Sequence, residues 1–222
     1  DYNINVNDKR VLRVCRKRKV QSYIKYRYNC CTKPASDPAY IAENVLNREF
    51  KSDKPNEKWL TDVSEFKYGT GDDEKKGKIY LSVILDLCGK RPVAYEYSDH
   101  NDNPLVFNTF DKALAANPGA TPLFHSDRGY QYTSKTFRQK IIDAGMNQSM
   151  SRVARCIDNG PMEGFWGIMK REMYYGKKYK TKDELIKAIE EYIDYYTNKR
   201  VQRNLCILTP QEYYEKHLLE AA

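Results

Sequence analysis

Three acidic residues carry the chemistry this sequence can do. Asp62 lies in W-L-T-D-V-S-E-F, Asp127 in H-S-D-R-G-Y-Q-Y-T-S and Glu163 in D-N-G-P-M-E-G-F-W-G-I-M-K-R-E, with 35 residues between the second and the third. Three carboxylates are what a two-metal phosphoryl-transfer site requires, because each Mg²⁺ takes hard oxygen ligands and keeps positions open for phosphate and water. Each also has an ordinary explanation. An Asp after a strand forms turns, and a Glu in a first helical turn suits the helix dipole. Asp86, inside an apolar strand, reads as a hydrogen-bonded structural residue rather than a fourth ligand. His125 and Asn159 are candidates to line the site, with a packed histidine as the alternative for His125.

These residues need elements to hold them. Lys58 to Tyr68, Lys78 to Cys88 and Pro92 to Tyr97 are rich in aromatic and β-branched residues and joined by short polar links, which predicts an antiparallel meander with Asp62 on its first strand. A helix follows from about Asn103 to Asn117, stopped by Pro118 and Gly119. Thr121 to His125 is a short buried strand, with Asp127 just past its end. Thr133 to Gly145 is another helix, and Met146 to Met150 a last strand. Met162, Phe165, Trp166, Met169 and Met173 then form one apolar helical stripe, with Pro161 in the first turn and Asp158 or Asn159 as its cap. Glu163 and Lys170 share a neighbouring face with Gly167 between them, where a small residue would let a phosphate backbone come close. Thr181 to Glu184 has the form of a capping box, and a final helix starts near Pro210. This order of elements predicts an α/β fold of the ribonuclease-H-like kind: a mixed five-stranded sheet flanked by helices, with ligands collected at the strand ends.

The chain carries a formal charge of +8, which favours a polyanionic partner. From Lys9 to Lys33 it holds ten Lys or Arg and no Asp or Glu. Arg16, Lys17, Arg18 and Lys19 are the densest part of this arm, and Tyr23, Tyr26 and Tyr28 are interleaved with further cations, as in segments that contact nucleic acid. Beyond it, Ile41, Val45 and Leu46 mark a short amphipathic piece, which reads as a solvated linker with one helix. Six cysteines show no C-x-x-C and no zinc-site spacing, which points to reduced thiols in a cytosolic protein. No apolar run approaches the ~18 residues of a membrane span and no basic stretch leads into an apolar one, so neither a span nor a secretory signal is expected from these residues. The first residue is Asp rather than Met, as in a processed chain or a piece of a longer one. The expected divisions are a basic arm and linker over 1–52, a catalytic core over 53–175 and a helical extension over 176–222. Tyr174, Tyr175, Tyr195 and Tyr196 read as partly buried helix packing before any role in stacking on DNA.

Four stretches in order resemble the OrfB portion of bacterial insertion-sequence transposases of the two-frame OrfA/OrfB family, whose core is similar to that of retroviral integrases. They are N-R-E-F-K-S-D-K-P-N-E-K-W-L-T-D-V-S-E-F, F-H-S-D-R-G-Y-Q-Y-T-S, S-M-S-R-V-A-R-C-I-D-N-G-P-M-E-G-F-W-G-I-M-K-R-E, and Y-I-D-Y-Y-T-N-K-R with T-P-Q-E-Y behind it. The resemblance implies that Asp62, Asp127 and Glu163 are the catalytic, metal-binding triad, holding two Mg²⁺ or Mn²⁺ ions. It implies that Lys170, and Arg171 beside it, contact DNA. The activity it implies is cleavage and joining of phosphodiesters at insertion-sequence ends, by in-line displacement without a covalent enzyme intermediate. An inactive DNA-binding descendant and a nuclease without joining activity are the alternatives. A homo-oligomer, an OrfA-type partner and a nucleoid location in a bacterial cytoplasm are further implications. Trp166 stands where the family usually has Phe, and Gly160 and Gly164 also depart from its pattern.

Overall fold

The meander signals place β1 at Lys58–Tyr68, β2 at Gly77–Asp86 and β3 at Arg91–Ser98, antiparallel in succession. The computed structural model describes residues 6–20, 40–69, 76–153 and 155–221. The part of the basic arm with Tyr23, Tyr26 and Tyr28, and the adjacent Cys30 and Cys31, lie outside the described residues. β4 (Leu123–Ser126) runs parallel to β1, and β5 (Asn147–Met150) parallel to β4, so the sheet order is β3-β2-β1-β4-β5. The mixed five-stranded sheet expected from the order of elements is therefore present.

β2 is nearly continuously apolar because it is an interior strand covered on both faces. Its Ile79, Leu81, Val83 and Leu85 join Leu60 and Phe66 of β1 in one core. That core is closed by α4 (Gly160–Met169) and α5 (Lys182–Asn198). On the opposite face Trp59 and Ile84 pack with α2 (Asn103–Ala116) and α3 (Lys135–Asp143) through Phe110, Phe124 and Phe137. The helices start where side chains can cap them: Asp102 accepts from Leu105 N, Ser134 from Phe137 N and Thr181 from Glu184 N. Each such cap contributes about 1 kcal/mol. The last helix, α6, spans Pro210–Ala221.

One expectation is corrected. The piece around Ile41, Val45 and Leu46 forms no helix. It passes along β5 as an irregular segment that turns at Asn47 and Arg48, and so covers an edge strand whose unpaired backbone groups would otherwise be open to other chains. Met150 N donates to Glu43 O at 3.2 Å, Leu46 N donates to Ser149 Oγ at 3.0 Å, and Leu46 is buried while Ile41 and Val45 are exposed. The helix upstream is instead α1 (Asp8–Lys17), which buries none of its side chains.

Candidate active site

The position of two carboxylates follows from strand register. β1 and β4 pair at Lys58↔Leu123, Trp59↔Phe124 and Leu60↔His125, and pairing stops there. Asp62 and Asp127 both stand two residues beyond the last pair. Side chains alternate along a strand, so an equal, even offset aims both at the same face. They meet where the two strands part.

Asp127 Oδ1 accepts from Gly129 N at 2.8 Å, an Asx-type turn that fixes the carboxylate. Asp62 Oδ2 accepts from Trp166 Nε1 at 2.9 Å. Burial pushes the Asp62 carboxyl up to about 8, and the Asp127 charge adds to that. The Val63 N–H and the Trp166 indole pull it down, and Glu163 pushes it up again. Asp127 is raised as well, chiefly by burial and against the Gly129 hydrogen bond. Two crowded, buried carboxyl groups that hold on to protons when no cation is near suit a hard divalent cation, which takes the proton's place and relieves their repulsion.

Glu163 comes from α4, which packs on the β1–β2 face of the sheet. Met162, Phe165, Trp166 and Met169 are buried against the sheet, which turns Glu163, in the first turn of α4, outward to an exposed position. Its charge is felt at Asp62. Among the described residues no three His, Cys, Asp or Glu side chains form a ready-made metal cage. The structure thus brings Asp62 and Asp127 together and keeps Glu163 within electrostatic range.

Neither Asp158 nor Asn159 caps α4. Asp158 points away from the helix and, with no exposed surface, clamps the segment that leads into it. Its carboxylate accepts from Arg152 Nε and Nη2 at 2.8 Å each, Arg152 N at 3.1 Å, Arg48 Nε at 2.7 Å and Asn44 Nδ2 at 3.1 Å. The Arg152 side chain, helped by Arg48, holds the Asp158 carboxyl well below the usual range. Sequence reasoning missed this clamp; its partners lie up to 114 residues away. Asn159 does border the site: its Nδ2 donates to Thr61 O at 3.1 Å, beside Asp62.

The expectation that His125 lines the site gives way to a packing role. The ring is fully buried, with Nδ1 2.9 Å from Ser149 Oγ and Nε2 3.1 Å from Ser151 Oγ. Burial lowers its pKa to about 4, against the pull of Asp158. A depressed histidine stabilises the fold above its unfolded pKa of about 6.5, and that contribution is lost as the pH falls through the folded value. The wild-type chain is expected to lose about 2 kcal/mol relative to His125→Gln between pH 6.5 and 4.5, measured by urea unfolding. Asp86 is buried and accepts from Asn56 N and Cys88 N at 2.6 and 2.8 Å, the structural role read from the sequence.

The basic candidates separate. Lys170 opens a π-helical turn (Lys170–Tyr174) after α4 and is half-buried, its Nζ 5.2 Å from the Phe66 ring centre. Burial lowers its pKa, and the charges of Asp62 and Glu65 raise it. Gly167 lies beside the Arg171 guanidinium, which a Cβ there would approach to 3.3 Å. Arg16 and Lys17 end α1, and all of Arg16, Lys17, Arg18 and Lys19 are exposed. Tyr196 is buried and Tyr174 bonds to the Lys67 backbone, whereas Tyr175 and Tyr195 are exposed.

Residues 52–156 match the Integrase core domain family, and residues 163–218 a second family of the same description. The chain is 37% identical over 216 residues to an uncharacterized transposase-like protein of Haemophilus influenzae, covering 95% of this chain and 94% of that one. It is 37% identical over 196 residues to the transposase InsK of insertion sequence element IS150 of Escherichia coli, covering 88% of this chain and 64% of InsK. The catalytic core domain of HTLV-2 integrase, solved in complex with magnesium, has the same fold, with a TM-score of 0.54 at 19% identity over 72% of this chain and 97% of that one. The chain belongs to the integrase-core transposases. Within that class its relatives are the transposases of bacterial insertion sequences. No helix among the described residues is long and apolar enough to cross a membrane.

Proposed function

We propose that the chain carries out divalent-metal-dependent cleavage and strand transfer at the ends of an insertion sequence, with Asp62, Asp127 and Glu163 as the catalytic residues. The observation that supports this reading is the register of β1 and β4, from which Asp62 and Asp127 stand at equal offsets, together with the charge of Glu163 felt at Asp62. Asp62 and Asp127 would hold Mg²⁺ or Mn²⁺, two ions in all with Glu163 completing the set. Bound there, the metal lowers the pKa of an attacking water or 3′-hydroxyl and stabilises the leaving oxygen. The chain's own part is positioning: the Gly129 turn and the β1–β4 register hold the carboxylates, and α4 carries Glu163 to them. Lys170 and Arg171, at the end of α4, are proposed to contact DNA phosphates, as is the arm from Arg16 to Lys19. We further propose a core over 53–175, flanked by the arm and a C-terminal extension, that acts as a homo-oligomer in the bacterial cytoplasm at the nucleoid. The OrfA-type product of the same element is its proposed partner in end recognition.

The test is incubation of the chain with a labelled insertion-sequence end and target DNA in Mg²⁺ or Mn²⁺. Joined product supports the transposase reading. Hydrolysis alone makes the chain a nuclease, and binding without metal-dependent chemistry makes it an inactive descendant.

A further inference from the structure

Asp62 has a neighbour whose position suits it for more than filling the core. The Trp166 indole is 7% exposed, with edge-on contacts to Phe66 and Phe165 at centroid separations of 6.3 and 5.1 Å. Packed rings on both sides fix where its Nε1–H points, and it points at Asp62 Oδ2, 2.9 Å away. A phenylalanine would satisfy the same packing without supplying a donor. Tryptophan is also donor-only, so it can hold a carboxylate without competing for a cation. Seven residues earlier, Asn159 Nδ2 donates to the carbonyl of Thr61. The helix bearing Glu163 is therefore tied to the strand bearing Asp62 on both sides of Glu163.

We propose that Trp166 is a positioning residue for metal binding: its indole N–H locks the Asp62 carboxylate in one orientation, with the remaining lone pairs free for a divalent cation. With the Val63 N–H alone the carboxylate would keep more freedom about its last bond, and ordering it is a cost the cation would have to meet on arrival. A charge-assisted hydrogen bond from a packed ring removes that freedom beforehand. The inference rests on the proposed metal-binding role of Asp62.

The experiment uses the full chain with ¹⁵N-labelled indoles. Two tryptophans, Trp59 and Trp166, give two Nε1–H signals, and Trp166→Phe assigns them. Asp62→Asn is expected to move the Trp166 signal and leave that of Trp59 in place. Trp166→Phe is expected to bind Mn²⁺ about tenfold more weakly by calorimetry, which is about 1.4 kcal/mol, with a thermal midpoint near that of the wild type. The Mn²⁺ needed for half-maximal joining rises by the same factor, while the rate at saturating metal changes little. If Trp166→Phe fails to fold, benzothienylalanine at position 166 keeps the ring outline, replaces N–H by sulfur and is expected to show the same weakening. Wild-type Mn²⁺ affinity in the variant that folds, or an indole signal indifferent to Asp62→Asn, overturns the proposal. A wild-type chain that joins no DNA at any metal concentration overturns the transposase reading instead, while the Mn²⁺ titration still decides this one.

Discussion

Asp62→Asn is expected to reduce DNA joining at least about 10³-fold and, in metal-free buffer, to make the protein more stable. The two effects have one origin. A carboxyl raised from 3.8 to about 8 in the fold is one the native state prefers protonated. The stability tied to that proton is fully present below pH 4 and is lost as the pH rises through 8. Partial exposure and the shared titration with Asp127 reduce the simple linkage value, leaving about 2 kcal/mol. Urea unfolding in a chelator should show no difference between wild type and Asp62→Asn at pH 4, and a variant more stable by that amount at pH 9. Asp127→Asn should act in the same direction. Adding Mg²⁺ should reverse the order by stabilising the wild type and not the variants. Glu163→Gln should match the loss of joining without the gain in stability, because Glu163 is exposed. A variant of any of the three that joins DNA at the wild-type rate would remove it from the site.

Asp158→Ala is expected to destabilise the chain by about 3 kcal/mol, because it removes the buried acceptor of five hydrogen bonds, four from side chains and one from Arg152 N. For a chain of this length that is a fall of roughly 10 °C in thermal midpoint. Asp158→Asn keeps part of the hydrogen bonding and should cost about half as much. Because the clamp holds the segment leading into α4, joining should also fall, by about tenfold, at temperatures where the variant is folded. Calorimetry with parallel joining assays checks both, and a loss of under 1 kcal/mol in Asp158→Ala would show that water replaces the clamp without penalty.

Asp158 also shows where sequence reasoning stops. The strands, the helices and the buried stripe of α4 were legible because their causes are local: alternation, helical spacing, and turn and cap residues. The partners of Asp158 are not local. Arg48 sits at positive φ in a turn of the segment whose apolar spacing had suggested a helix, and the open edge of β5 explains why that segment lies along the sheet instead. His125 had two readings from sequence because the serines that hold it, Ser149 and Ser151, belong to the neighbouring strand and its continuation. That Arg171 lies over Gly167 was not legible either, because the course of the π-helical turn is not written in any spacing. The resemblance to the family marked Trp166 only as a departure from the usual Phe, whereas the structure gave its N–H a partner.

The site is assembled from two different rulers. Asp62 and Asp127 are placed by a repeat of two residues, counted from a register that ends at Leu60↔His125. Removing or adding one residue between Leu60 and Asp62 would therefore send the carboxylate to the opposite face of the sheet. Glu163 is placed by a repeat of 3.6, so the same change before it in α4 would swing it by roughly 100° around the helix. Neither error can compensate the other. Single-residue length changes inside β1 or the first turn of α4 are thus all-or-none for the site, even where the core would still close around them.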